Sequence, residues 1–233
     1  MAYLPGNPML TSALSGLQEK GHALITGLLD KKTCLQIVDC YNYAAYFRTV
    51  INMQRYRFGR GEYKYFAYPL PDVIASLRET LYAQLAPLAN AWMVQLKLPA
   101  MYPAHHQAFI EMCHAQGQTR PTPLILKYET GGFNTLHQDI YGVLHFPFQV
   151  VIALSQQQID YTGGELVLTE QIPRAQSKVE VITPNQGDAI ILTTNFRPVK
   201  GVRGYYRATV KHGVSEVISG LRYTLGIIFH DAA

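Results

Sequence analysis

The 233 residues are 48% hydrophobic and 15% charged, enough apolar material for one well-cored domain and too little charge for a disordered chain. A net charge of +4 without a long Lys/Arg block permits nucleic-acid binding but does not indicate it. Neither a basic-then-apolar leader nor an apolar run near ~18 residues is visible, so no signal peptide and no membrane association are expected.

The first third reads as helical. Asp30 is a candidate cap for a helix carrying Cys34, Leu35, Ile37, Val38 and Tyr41 at helical spacing. The Tyr/Arg/Gly-rich stretch from Gln54 to Tyr68 reads as loop or short strands. Its basic residues Arg55, Arg57, Arg60 and Lys64 alternate with aromatics, a pattern that suits a single strand or a peptide, or simply a solvated rim. Pro71-Asp72 opens a long helix whose stripe is Val73, Leu77, Leu81, Leu85, Leu88, Trp92 and Leu96. A shorter helix is expected from about Pro103 to Ala115. The cysteines Cys34, Cys40 and Cys113 are odd in number and lack CxxC spacing, which predicts reduced thiols and a cytoplasmic protein.

After Pro123 the pattern changes to short branched runs divided by Gly, Pro and Asn. They begin at Leu124, Phe148, Gly164, Lys178, Asp188, Thr209 and Leu221, and with the segment carrying His137 they make about eight strands. Two antiparallel sheets closing as a jelly roll (a double-stranded β-helix), with helices on one outer face, fit best. The expected division is one domain over 1–233, with 1–122 a mainly helical support and 123–233 the jelly-roll core.

His137 and Asp139 share one side of a strand, because residues i and i+2 do. A third ligand must come from a facing strand, and His212 in Val-Lys-His-Gly-Val is the candidate. Two imidazoles and a carboxylate form the facial triad that holds Fe(II) with open positions. An open zinc site is the rival, and a polar strand end with a satisfied core histidine is the plain alternative. Arg222 favours iron. In the last strand Arg222 and Thr224 share the face opposite Tyr223, Leu225, Ile227 and Phe229, so both are expected to point inward. A guanidinium grips a carboxylate bidentately. The competing expectation is an internal ion pair from Arg222 to Glu129, Glu165 or Asp188. His105, His106, His114, His145 and His230 are expected to be solvated or supporting residues, and no P-loop, nucleophile elbow or dinucleotide fingerprint occurs.

The set His137-x-Asp139…His212…Arg222-x-Thr224, with Gly163-Gly164-Glu165-Leu166 and Pro184-x-x-Gly187-Asp188 between, resembles the 2-oxoglutarate/Fe(II)-dependent dioxygenase superfamily over roughly residues 123–231. It is nearest in flavour to prolyl-hydroxylase-like bacterial members. The resemblance implies His137, Asp139 and His212 as catalytic iron ligands. It implies Arg222 as the anchor of the distal 2-oxoglutarate carboxylate, Thr224 as its hydroxyl partner, and Tyr128 as a further cosubstrate contact. Prolyl hydroxylases usually have lysine at the Arg222 position, so their substrate does not carry over. Implied cofactors are Fe(II), 2-oxoglutarate and O2, with ascorbate in support, and implied products are succinate, CO2 and a hydroxylated small molecule or protein side chain. Leu136-His-Gln-Asp139 also resembles AlkB-type nucleic-acid demethylases, although Ile228 stands where those have a second arginine. A non-catalytic jelly-roll module is the remaining alternative. Lid candidates are the 55–68, 141–145 and 197–207 segments. Oligomeric state is not legible.

Overall fold

The structure of the protein is a computed structural model describing residues 8–233. Its strands, numbered in chain order, form two antiparallel sheets. The larger contains β1 (His22–Ile25), β2 (Phe47–Asn52), β4 (Glu62–Phe66), β5 (Leu124–Glu129), β7 (Phe148–Ala153), β8 (Tyr161–Gly163), β11 (Ala189–Thr193) and β14 (Val217–Ile228). Its order is β1-β11-β7-β14-β5-β4-β2, with β8 paired to β14. The smaller contains β3 (Gly59–Arg60), β6 (Phe133–His137), β9 (Leu166–Gln171), β10 (Lys178–Ile182), β12 (Phe196–Gly201) and β13 (Gly204–Val214). Its order is β10-β9-β13-β6-β3, with β12 paired to β13. The two sheets face each other as a jelly roll, as the turn-punctuated short strands predict.

Five helices accompany them: α1 (Pro8–Lys20), α2 (Lys31–Cys40), α3 (Met53–Tyr56), α4 (Asp72–Gln95) and α5 (His106–Ala115). Asp30 caps α2 as expected, its carboxylate accepting from the Thr33 amide at 2.7 Å. Leu35 on that helix is 53% exposed; Cys34 and Ile37 are its buried anchors, with Val38 packed beside them. Helix α4 buries Ile74, Leu77, Leu81, Leu85, Ala89 and Trp92 against Leu225, Ile227 and Phe229 of the β14 strand and its end. Each fully buried side chain of that size is worth about 1.5–3 kcal/mol. That packing spends the apolar face of β14 on the helices and turns the other face inward. None of the described helices is long and apolar enough to cross a membrane.

Beside its helices, the region before residue 122 also carries strands that the helical expectation did not include. Strands β1, β2 and β4 lie in this region and extend the large sheet at both edges. Strand β1 spans only four residues, too few to display a period. Of the glycines that suggested a loop, Gly59 opens β3 and Gly61 is the single residue joining β3 to β4, and both have positive φ. In the C-terminal region ten strands replace the expected eight, the additions being the short β8 and β12.

Candidate active site

His137 ends β6, Asp139 follows it, and His212 lies on neighbouring β13, directly opposite His137 in the register. One ligand atom from each lies within 4.8 Å of the others. His137 Nε2 is 3.5 Å from Asp139 Oδ1, and His212 Nε2 is 3.3 Å from Oδ2. The imidazole centroids are 4.2 Å apart. His137 Nδ1 sits 2.8 Å from the Thr135 carbonyl; because a carbonyl only accepts, Nδ1 carries the proton and Nε2 presents its lone pair to the cluster. Burial, and next the charge of His212, hold His137 below the ordinary imidazole range. Burial pushes Asp139 upward, but His212, His137 and the Tyr141 hydroxyl outweigh it and keep the carboxyl well below its usual range. The site therefore offers an ionised carboxylate and a neutral imidazole lone pair, the states a divalent metal requires.

A cavity of about 190 Å³ opens beside this cluster. Arg222 and Thr224 point into it from β14 and Tyr128 from β5, as the alternation predicts. Arg222 is 2% exposed, yet its Nε and Nη1 make no hydrogen bond. None of the three carboxylates that could neutralise it hydrogen-bonds to it; each has other partners. Glu129 pairs with Lys127 at 2.7 Å. Glu165 accepts from Ser215 and from Gln157. Asp188 accepts from the Gly27 and Asn185 amides. Arg222 is cushioned by the Tyr128 and Tyr161 rings, with centroids 5.4 and 5.8 Å away. The Tyr128 hydroxyl is also buried and unbonded, and burial pushes it up to about 12. Buried donors of this kind are costly unless something accepts from them. An anionic ligand with several acceptor oxygens fits them.

Gly164 explains the Gly-Gly turn. It has φ +62, and a Cβ there would stand 2.9 Å from Arg222 Cδ, so a side chain would displace the guanidinium stem.

Other residues were not legible as site residues. Tyr141 donates to Asp139 Oδ1 at 2.5 Å. Gln149 Nε2 lies 3.1 Å from His212 Nε2. Phe58 and Tyr63 line the cavity from the N-terminal third. Gln149 had a sequence signal as one amide inside the apolar run Phe-Gln-Val-Val, and Phe58, Tyr63 and Tyr141 fall in two of the lid candidates. Of the lid candidates, 55–68 and 141–145 supply wall residues, whereas 197–207 forms the β12–β13 hairpin and lines none of the cavity. The remaining histidines are not solvated as a group. His230 is 0% exposed and accepts from the Phe146 amide. His106 Nε2 is 2.8 Å from the Phe229 carbonyl, and His114 meets Asp231.

This architecture is that of the 2-oxoglutarate/Fe(II) oxygenases. A Pseudomonas putida prolyl-4-hydroxylase superposes with a TM-score of 0.54 at 13% identity, covering 97% of this chain and 100% of that one. A Burkholderia pseudomallei 2OG-Fe(II) oxygenase family oxidoreductase gives 0.53 at 15% identity, covering 99% and 94%. More specifically, residues 61–232 match the Oxygenase-NA family, described as an oxygenase catalysing oxidative methylation of damaged DNA, and the chain belongs to that family. An uncharacterized Mycobacterium tuberculosis protein, Rv2227, is 49% identical over 168 residues, 72% of each chain. The family makes the protein an oxygenase, an oxidoreductase, and its fold is the one those 2OG-Fe(II) enzymes share.

Proposed function

We propose that His137, Asp139 and His212 hold Fe(II), that Arg222 with Thr224 and Tyr128 binds 2-oxoglutarate, and that the substrate is an alkylated base of damaged DNA. The observation carrying the cofactor assignment is the buried, acceptor-less Arg222 guanidinium beside an ionised His-Asp-His cluster. Zinc hydrolysis has no need for that guanidinium; a dicarboxylate does.

When bound, iron and 2-oxoglutarate supply the oxidation: O2 is consumed, the keto acid yields succinate and CO2, and a substrate C–H becomes C–OH. The chain's own residues position and enclose. Neutral His137 Nε2 and ionised Asp139 meet the metal without first releasing protons. Arg222 Nε and Nη1, buried without acceptors, would hold the distal carboxylate of 2-oxoglutarate. Leu124, Leu126, Val151, Leu166 and Ile228 line the cavity with apolar surface and limit water near the oxidised centre. A carbon hydroxylated next to nitrogen departs as formaldehyde, leaving the free base.

The DNA reading draws on the family description and on the cavity mouth. Phe58 lines the cavity and stacks on exposed Tyr56 at 5.5 Å and 18°, next to exposed Arg55, Arg57 and Arg60. Aromatic faces with interleaved cations suit unstacked bases and their phosphates. A second reading, hydroxylation of a small molecule or protein side chain, is favoured by Ile228, whose apolar side chain lines the cavity where AlkB-type enzymes have arginine. A cytoplasmic location belongs to the same proposal, in keeping with three free thiols.

The test is turnover with Fe(II), ascorbate and 2-oxoglutarate on single- and double-stranded oligonucleotides carrying N-methylated bases. Coupled succinate and formaldehyde, absent in His212→Ala and not restored by zinc, support the proposal. Succinate that is never coupled to demethylation on any strand dismisses the DNA substrate, and no succinate under any substrate panel dismisses the enzyme in favour of a binding module.

A further inference from the structure

A carboxylate that serves a metal through one oxygen has a second oxygen to control. The terminal torsion of aspartate is broad, so an unrestrained Asp139 would rotate, or chelate with both oxygens and fill a position that a cosubstrate needs. In this protein one of those oxygens has a dedicated partner. The Tyr141 hydroxyl donates to Asp139 Oδ1 at 2.5 Å, an oxygen that His137 Nε2 also approaches at 3.5 Å, while Oδ2 faces His212 Nε2 at 3.3 Å. A hydrogen bond to an ionised acceptor is among the stronger kinds.

Tyr141 is itself held from several sides. Its ring meets Tyr65 edge-on at 6.2 Å and lies 6.1 Å from the buried His230 ring. The Tyr141 carbonyl accepts from the Ala233 amide at 3.2 Å. The loop that follows is fastened by Gln118, whose side chain donates to the Leu144 carbonyl at 2.8 Å and the Asp231 carbonyl at 2.6 Å. The same side chain accepts from the Leu144 amide at 2.8 Å. Gly142 admits this clamp, because a Cβ there would stand 2.2 Å from Gln118 Cδ.

We infer that Tyr141 is a positioning residue that fixes Asp139 as a one-oxygen metal ligand, and that Gln118 holds the loop presenting it. This rests on the iron reading above, so the experiment separates the two. Metal-free wild type, Tyr141→Phe and Gln118→Ala are titrated with Co(II), following heat and the visible ligand-field spectrum. Wild type should bind one equivalent. Tyr141→Phe should bind about 10–100-fold more weakly, the usual cost of losing a residue that orients a ligand. Its spectrum at saturating Co(II) should change, whatever the fall in the melting midpoint of the metal-free protein that loss of this hydrogen bond brings. Gln118→Ala should move affinity and spectrum in the same direction by less. A merely structural role would lower the metal-free midpoint and leave the saturated spectrum alone. Co(II) affinity within about twofold of wild type, or an unchanged saturated spectrum, overturns the inference. If Tyr141→Phe does not fold, the affinity and spectrum of Gln118→Ala decide by the same criteria. Failure of wild type to bind Co(II) at all removes the iron reading itself, and this inference with it.

Discussion

Replacing Arg222 by methionine should weaken 2-oxoglutarate binding and yet leave the ligand-free protein at least as stable. Arg222 is 2% exposed, and two of its donors, Nε and Nη1, have no acceptor. Each unsatisfied buried donor costs about 1–3 kcal/mol, or ~2–6 kcal/mol for the pair. The Tyr128 and Tyr161 faces at 5.4 and 5.8 Å return about 0.5–2 kcal/mol each. Methionine keeps the length and apolar stem without the donors. The ligand-free variant should therefore match wild type or exceed it by about 2 kcal/mol, a rise of roughly 4–8 °C at 2–4 °C per kcal/mol. Ligand response should go the other way. Truncating one partner of a buried charge pair costs about 2–5 kcal/mol, roughly a 30- to 5,000-fold loss of 2-oxoglutarate affinity. At a hundredfold excess over its Kd, ligand adds about 2.7 kcal/mol to wild type, which the variant should lack. Differential scanning calorimetry with and without Mn(II) plus 2-oxoglutarate measures both effects. A ligand-free variant that melts several degrees below wild type would mean that Arg222 has a structural partner, and an unchanged ligand shift would mean that it does not hold the cosubstrate.

Gly164→Ala should weaken 2-oxoglutarate binding more than metal binding, since its Cβ would press on Arg222 Cδ at 2.9 Å; isothermal titration of the two ligands separates them, and equal losses would argue for general misfolding. Asp231→Asn should destabilise by about 3–5 kcal/mol, because Asp231 is 0% exposed and meets Arg78 at 2.7 Å; a urea-unfolding change below about 1 kcal/mol would remove the buried pair from the stability account. Burial, and then the charge of Arg78, push His106 down to about 4 from an ordinary 6.5. Between those values the unfolded chain holds more protons than the fold, so stability present above pH 6.5 falls as the pH drops toward 4. The loss from His106 alone is on the order of 3 kcal/mol. A His106→Gln variant should show a shallower decline in urea midpoint between pH 7 and 5, and parallel declines would exclude His106 as a source.

Local rules carried the C-terminal half. The period of two in Leu221 to Phe229 assigned Arg222 and Thr224 to the face away from Tyr223, Leu225, Ile227 and Phe229, and the cavity is lined by the first pair while the helices cover the others. The stripe along 72–95 gave α4 to within a turn. The N-terminal third was less legible, because β1, β2 and β4 are short, and β1 and β4 hydrogen-bond to strands more than fifty residues away, β11 and β5. A four-residue strand whose partner is distant leaves almost no periodic trace of itself. Tyr141 and Gln118 were missed for a related reason: a tyrosine in a loop has no sequence mark for the carboxylate that it will meet.

The chain alone therefore pointed to the candidate metal donors and to the inward face of β14, since donor type and strand parity are properties of neighbouring residues. It could not decide between an Arg222 neutralised by Glu129, Glu165 or Asp188 and one left for a ligand. Only the packing decided that, by giving each of those carboxylates another donor and leaving the guanidinium alone beside the cavity. Competition among buried charges is settled by distances across the fold, which the order of residues does not contain.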